Sequence, residues 1–511
     1  MSGFNLVDEK WIPVRFPDGT RAELGIRETL LRAKEIAAIE DPSPLVVAAL
    51  HRFLLAVLYR ALQGPTDIEQ AKSLFRSGLP EKPIKDYLET WRPRFWLFDE
   101  KFPFGQNPHI PDDRLEPWTK LTAEYNATTN KVLFDHTDTK RPGMRESKEC
   151  ARWLLSTMNF SISGGRGYYP SPSPNAMMCI PLGRNLQETL CYNLVPYPNR
   201  AVMLGDSALW ERELEELPLK NPKRKASGYA DLYTWPSRMV FLEEQLSGMF
   251  MRFVAGQGFD NTSNISDPMQ PYQINEKVGK LPVKFRQDRG TWRDFDSLLP
   301  SGDDSAPLTV QNALKLAGGK TNQLTQSVLV LGLRYEPPNA NVDFWRMERF
   351  VLPPAMVETR FARTEIQQIL EDAASADESL SKACSSYAKF ILSKNMEKKG
   401  TGKQREPDKK DVSEFVKQMP AIPWYWSTLE VHFHEILGGY ASNCDPDEIR
   451  CRWLNHVRDA LKTAWGQHAA SVSAGNAWAI RALVKAEIPV WSKIQELNSE
   501  IAKYTKQEVH E

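Results

Sequence analysis

What the chain lacks narrows its function before any motif is read. Its six cysteines (Cys150, Cys179, Cys191, Cys384, Cys444 and Cys451) never form a CxxC pair, so a structural zinc site is not expected and the thiols read as reduced core residues. Net charge is missing as well: 65 Lys and Arg balance 65 Asp and Glu. That balance argues against a uniformly basic nucleic-acid coat and leaves room for a local basic groove, because phosphate affinity depends on clustered cations. No signal-peptide pattern opens the chain, since charge arrives by Asp8. The most apolar run, Leu45 to Leu62, is interrupted by His51 and Arg52 and reads as a buried helix rather than a membrane span. A cytoplasmic protein without membrane contact is the expectation.

Catalytic signatures are absent too. There is no Gly-x-Ser-x-Gly elbow and no Cys/His constellation. His432 and His434 with Glu435 suggest a metal cluster, but residues two apart on a helix point about 200° apart, so those two imidazoles do not share a face. A zincin needs His at i and i+4 with Glu between them. Asp135-His136 lies in a polar stretch without a second acid at useful spacing. No catalytic residue, metal ligand set or cofactor is expected.

What is present is a long chain with many aromatic anchors. Its 511 residues imply two or three domains, and 41% apolar with 25% charged residues is a globular composition. Fifteen tryptophans and 36 prolines suggest a loop-rich body. Pro44 to Leu62 carries apolar residues at helical spacing, a second helix spans Cys150 to Met158, and Val328 to Leu333 reads as a buried strand. From about Phe361 the pattern becomes helical throughout, in four amphipathic segments: Phe361 to Leu392, Val412 to Leu437, Asp445 to Trp465 and Ala474 to Tyr504. The expected fold is α+β: a large mixed N-terminal domain over 1–355, then an all-α C-terminal four-helix bundle over 361–511.

Three segments have binding chemistry. Ser163-Gly164-Gly165-Arg166-Gly167-Tyr168-Tyr169 is a glycine loop whose backbone can approach a ligand closely, and it is not a nucleotide P-loop because Pro170-Ser171-Pro172 follows instead of Gly-Lys-Ser/Thr. Arg334 to Asn341 has the prolines and asparagines of a hairpin tip. Lys131 to Lys148 is polar and punctuated by Arg141, Pro142, Gly143 and Arg145, the composition of a mobile loop. Basic clusters at Lys220, Lys223, Arg224 and Lys225, at Lys394 to Lys410, and along Arg450, Arg452, Arg458 and Lys462 read as solvated faces or phosphate contacts.

The opening Phe4 to Thr20 (FNLVDEKWIPVRFPDGT) reads as a strand, a Pro17-Asp18-Gly19 turn and a second strand, with Trp11, Ile12 and Val14 in a core. It also resembles the N-terminal signature of the CasA family, the large subunit of the type I-E CRISPR surveillance complex Cascade: an apolar pair, an Asp, then Trp-Ile-Pro-Val, here Leu6-Val7-Asp8 and Trp11 to Val14. Phe102-Pro103-Phe104-Gln106, Thr129-Asn130 before Leu133-Phe134, Trp235-Pro236, and Asp267-Pro268-Met269 with Tyr272 resemble further family elements in the same order.

The resemblance implies a non-catalytic subunit that recognises the protospacer-adjacent motif (PAM) in double-stranded target DNA and helps to open the duplex for guide pairing. It implies as partners the backbone and small Cascade subunits, the crRNA 5′ handle, and the helicase-nuclease that docks on this subunit. Gly164, Gly165, Arg166 and Gly167 match the loop that enters the minor groove, which is only about 6 Å wide. Pro337, Pro338, Asn339 and Ala340 match the wedge hairpin that splits the first base pairs. Leu133, Phe134, Arg141 and Arg145 match the loop near the crRNA. Two departures stand out: aligned on Ala340, Pro338 and Asn339 occupy the place of an Asn-Gln pair in a better-known relative, and 256–261 lacks the family's PAM-contacting lysine. The competing expectations are a free-standing nucleic-acid-processing enzyme built on the Gly164–Gly167 loop, and a scaffold that touches only protein.

Overall fold

The computed structural model describes residues 3–125, 143–164, 167–220, 222–242, 250–275, 277, 279–287, 289–300, 305–317, 326–336, 342–352, 360–393, 406–442 and 444–507. Two compact units divide the chain: 1–291 with 297–350, and 292–296 with 351–511.

The first unit is mixed α/β. Strand Ile12–Arg15 pairs antiparallel with Arg21–Leu24, Ile12 opposite Leu24, and on its other edge with Ala38–Ile39. The turn between the first two needs Gly19, whose φ of +87° lies in the left-handed region, and Asp18 Oδ1 accepts the Thr20 amide at 2.9 Å. Trp11, Ile12 and Val14 are buried as the sequence predicts, and Trp11 Nε1 donates to the Leu6 carbonyl at 2.8 Å.

The Pro44–Leu62 helix runs through the middle of this core. Ser43 caps its start by accepting the Val46 amide, Pro44 occupies the first turn, and Gln63 closes it in the left-handed region at φ +44°. Every residue from Pro44 to Tyr59 is buried. The helix is long and apolar enough to span a membrane by length and composition, with mean hydropathy 1.8, yet its apolar surface is covered by protein. Phe53 packs against Trp11, Phe95, Phe104 and Trp210 at ring separations of 5.5–6.4 Å, and Tyr59 gathers Tyr197, Tyr229 and Tyr233. Arg52 is accommodated because its Nη1 meets Asp267 Oδ2 at 2.7 Å, while its guanidinium lies 4.4 Å from the centre of the Tyr233 ring. Both charges are buried, so removing either one would strand the other at a cost of about 3–5 kcal/mol.

Around this helix stand small sheets rather than one large one. Val342–Leu352, Gln326–Tyr335 and Met178–Leu182 form a three-stranded sheet in that order, with Val330 opposite Cys179. Arg238–Phe241 pairs with Phe250–Ala255, which pairs in turn with Leu115–Pro117. Lys223–Arg224 runs parallel to Gly258–Phe259, and Tyr272–Asn275 with Gly279–Pro282 makes a hairpin.

The second unit is helical. Its long helices Arg360–Leu392, Ala421–Ala441, Pro446–Ser471 and Ile488–Gln507 form the expected bundle, and two short ones, Lys409–Lys417 and Ala477–Ala486, accompany them. Two of the four predicted segments are thus broken. The second breaks at Gln418–Pro420, and the fourth at Glu487 just before Pro489; a proline has no amide to donate within a helix interior but fits at or just before a first turn. Tyr425 Oη donates to Ala373 O and Trp453 Nε1 to Ile369 O, both at 2.8 Å, so these two buried polar rings satisfy their donors. Trp292, from a short helical turn between the two parts of the first unit, also lies in this core, 4.9 Å from Phe433 and 5.7 Å from Trp426.

Candidate nucleic-acid interface

The glycine loop is built on the end of helix Ser147–Phe160. Where that helix stops, Ser161 and Ser171 close the loop at its base: Ser171 N donates to Ser161 O at 2.9 Å, and Ser161 N donates to Ser171 Oγ at 2.9 Å. Arg238 fastens both arms, donating to Tyr169 O at 2.6 Å and also to Ile162 O. Burial lowers the Arg238 guanidinium to about 10, which leaves it charged near neutral pH. Tyr168 stacks on Phe253 with an interplanar angle of 14°, and Lys223 lies 4.8 Å from the centre of the Tyr169 ring. Gly164 and Gly167 are exposed, and the φ of +88° at Gly167 is strained for any residue with a side chain. Gly165 and Arg166 lie outside the described residues.

The base of the second predicted element sits beside the first. Asn175, a few residues beyond the glycine loop, grips the end of strand Gln326–Tyr335 with both groups of its amide: Nδ2 donates to Tyr335 O at 2.9 Å and Oδ1 accepts Tyr335 N at 3.1 Å. Across the hairpin base Arg334 meets Asp343 at 3.5 Å. Pro337, Pro338, Asn339 and Ala340 fall outside the described residues.

Two cavities flank the glycine loop. One of about 720 Å³ is lined by Tyr169, the Pro170–Asn175 segment, Asp267, Tyr272, Tyr335, and the lysines Lys223, Lys280 and Lys284. The other, about 340 Å³, is lined by Gly164, Tyr168, Lys120, Arg238, Phe253 and Val342. Segments some 170 residues apart in the chain, the glycine loop and the hairpin, therefore share walls at their bases. The larger cavity has a rigid floor: Asp267 accepts from Arg52, from Ser173 Oγ at 2.9 Å and from the Met269 amide at 3.1 Å. Close approach is enforced at Gly258, where an added Cβ would lie 2.6 Å from the Tyr169 ring.

Sequence reasoning missed Lys280 and Lys284, which belong to an exposed hairpin and its sequel, and it missed Arg238 altogether. Two lysines within five residues, Lys280 and Lys284, are a weak linear signal. Arg238 has none, because its partners lie 69 and 76 residues away.

The remaining predicted residues are dispersed. Leu133, Phe134 and Arg141 are outside the described residues. Arg145 lies 4.4 Å from the centre of Trp118, which stacks on Trp153 at 4.8 Å, and Trp118 Nε1 donates to Gly143 O, so this arginine anchors the end of its loop on an aromatic pair. Of the basic clusters, Arg224 is held by Asp231 at 2.6 Å, and Arg450 is turned into the bundle against Asp372 at 2.5 Å, so neither is part of an open stripe.

Fold and site together define an α+β protein in which the bases of two loops meet beside a lysine-lined cavity, followed in sequence by a helical bundle. Residues 5–464 match the family model described as CRISPR-associated protein Cse1. The chain is 31% identical to the CRISPR-associated protein CasA/Cse1 of Thermus thermophilus, over 98% of both chains. The solved structure of Thermus thermophilus CasA (Cse1) superposes with a TM-score of 0.81 at 29% identity, covering 97% of this chain and 100% of that one. A chain of a CRISPR RNA-guided surveillance complex shares the fold with a TM-score of 0.73 at 19% identity, covering 96% and 99%. The chain belongs to the Cse1 (CasA) family of CRISPR-associated proteins.

Proposed function

We propose that this protein is the non-catalytic large subunit of a type I-E Cascade complex in the cytoplasm, where it recognises the PAM in double-stranded DNA and helps to open the duplex. The observation that carries the reading is the convergence of the glycine-loop and hairpin bases on a cavity lined by Lys223, Lys280 and Lys284. Small, exposed glycines suit a narrow minor groove, and lysines beside them suit the flanking phosphates. An apolar proline wedge at 337–340 can unstack a base step even without the polar pair of its relatives. The protein would read groove shape and a short motif while guide pairing reads the sequence. Membership of the Cse1 family and a fold shared with a chain of an RNA-guided surveillance complex support the assembly partners: the backbone and small subunits, and the crRNA 5′ handle near 131–148. Docking of the helicase-nuclease on this subunit belongs to the same proposal.

The missing PAM lysine is, in this reading, replaced by Lys280 and Lys284. The test is a titration of assembled complex with PAM-bearing and PAM-less duplexes across a salt series. Lys280→Ala with Lys284→Ala should weaken binding and reduce the salt slope by about 1–2. Deleting 337–341 should impair strand opening more than initial binding. Unchanged affinity in both variants would leave the scaffold view, and nuclease or nucleotide-hydrolysis activity of the isolated chain that Gly165→Asp abolishes would establish the enzyme.

A further inference from the structure

The helical unit carries a cluster with ligand chemistry. His432 and Glu435, one turn apart on Ala421–Ala441, face His456 on the neighbouring helix Pro446–Ser471. His432 Nδ1 lies 3.4 Å from Glu435 Oε2, His456 Nε2 lies 3.8 Å from the same oxygen, and ligand atoms of all three residues fall within 4.8 Å of one another. The imidazoles lie face to face, ring centres 3.7 Å apart at 14°. The side chains are 31%, 54% and 25% exposed, so an ion can reach the cluster from solvent. Spacing along one helix ruled out His432 with His434, but the partner imidazole comes from the next helix instead.

We propose that His432, Glu435 and His456 form a binding site for a divalent transition ion of the zinc, nickel or copper class, joining the two helices and leaving a coordination position open to solvent. Two imidazoles and a carboxylate are the donors such ions accept, and three protein ligands with an open position is a known zinc arrangement. Bonds of about 2.1 Å in a tetrahedron place ligand atoms about 3.4 Å apart; the two imidazole–carboxylate separations are 3.4 and 3.8 Å, and all the ligand atoms lie within 4.8 Å. Closing the remaining gap requires the stacked rings to splay about χ2, a soft torsion in histidine. Neutral imidazoles and an ionised carboxylate are the forms that bind, so occupancy depends on pH. Arg452 is drawn towards Glu448 at 3.8 Å, and Asp459 is engaged by Arg458 at 2.8 Å, so Glu435 supplies the negative ligand.

The test uses the full, untagged chain stripped with a chelator and titrated with zinc chloride or nickel chloride by calorimetry. One equivalent should bind near neutral pH, with a rise in the thermal midpoint, and acidification to about pH 5 should release it as the imidazoles take protons. His456→Ala and the shape-preserving Glu435→Gln should each weaken binding by about tenfold or more. No saturable binding, or affinity unchanged in both variants, would overturn the site. Glu435→Gln keeps the question open to decision if His456→Ala perturbs helix packing.

Discussion

His51 is a titratable residue enclosed in the central helix, and its chemistry follows from having nowhere to put a charge. Its Nδ1–H donates to the Val47 carbonyl at 2.7 Å, and burial lowers its pKa from the ordinary value to about 4. The folded state therefore binds fewer protons than the unfolded state between about pH 4 and pH 6.5, so stability is full above that window and is lost as pH falls through it. The difference between pH 7 and pH 5 should be about 2 kcal/mol from this residue. Urea unfolding at the two pH values measures it, and His51→Gln, which keeps a donor without the proton linkage, should remove most of that dependence. An unaltered pH dependence in the variant would mean that other groups control acid unfolding. At this scale the sequence was partly informative. A histidine in an apolar run announces burial, but the depth of burial depends on residues such as Tyr229 and Trp235, which reach this core from far along the chain.

Among elements, the base of the glycine loop shows how distant residues brace a short motif. Its glycines and flanking prolines were legible, as was the Pro44–Leu62 helix, because Ser43-Pro44 and Gln63-Gly64-Pro65 are local start and stop signals. The bracing of the loop was not legible, since Arg238 arrives from a strand beyond three intervening α-helices and Asn175 pairs with Tyr335 across 160 residues. Arg238→Ala removes charged donors from three carbonyls, the loop's Ile162 O and Tyr169 O and the adjacent Ser237 O, and leaves the rest of the core in place. We expect a loss of about 2–3 kcal/mol, the usual worth of hydrogen bonds to a charged group, concentrated in the loop. Hydrogen exchange should show faster exchange across 162–170, while the amides of Met178–Leu182 keep their protection. If the strand loosened as much as the loop, Arg238 would be a general core residue rather than a brace. The hairpin was legible in the same partial way: its two strands, expected on either side of the tip, lie side by side, while its attachment to Asn175 had no linear signal.

For the whole molecule, the informative feature is that the chain leaves the first unit at 292, returns at 297, and leaves again at 351. The change from mixed to helical pattern near Phe361 marks the last crossing, but nothing in the linear pattern marks Trp292–Asp296 as part of the helical unit. Only tertiary packing reveals it. Trp292 is almost wholly buried against Trp426, Phe433 and Trp453, Phe295 adds an edge contact with Phe433 at 5.5 Å, and Arg293 lies 3.3 Å from the centre of the Trp426 ring. A bundle core packs at crystal-like density, so emptying the Trp292 site leaves a large void. Trp292→Ala should therefore cost about 3–5 kcal/mol, and the loss should fall on the bundle, although residue 292 precedes it by some sixty positions in sequence. In the full chain, hydrogen exchange should accelerate along Ala421–Ala441 and Pro446–Ser471 and stay unchanged in Pro44–Leu62. A fragment of 351–511 lacks the tryptophan entirely. It should be destabilised to the same degree and regain stability when a peptide of 289–299 is added. Full stability of that fragment without the peptide would show that the bundle closes over the vacancy, and that the excursion of 292–296 follows from chain routing alone.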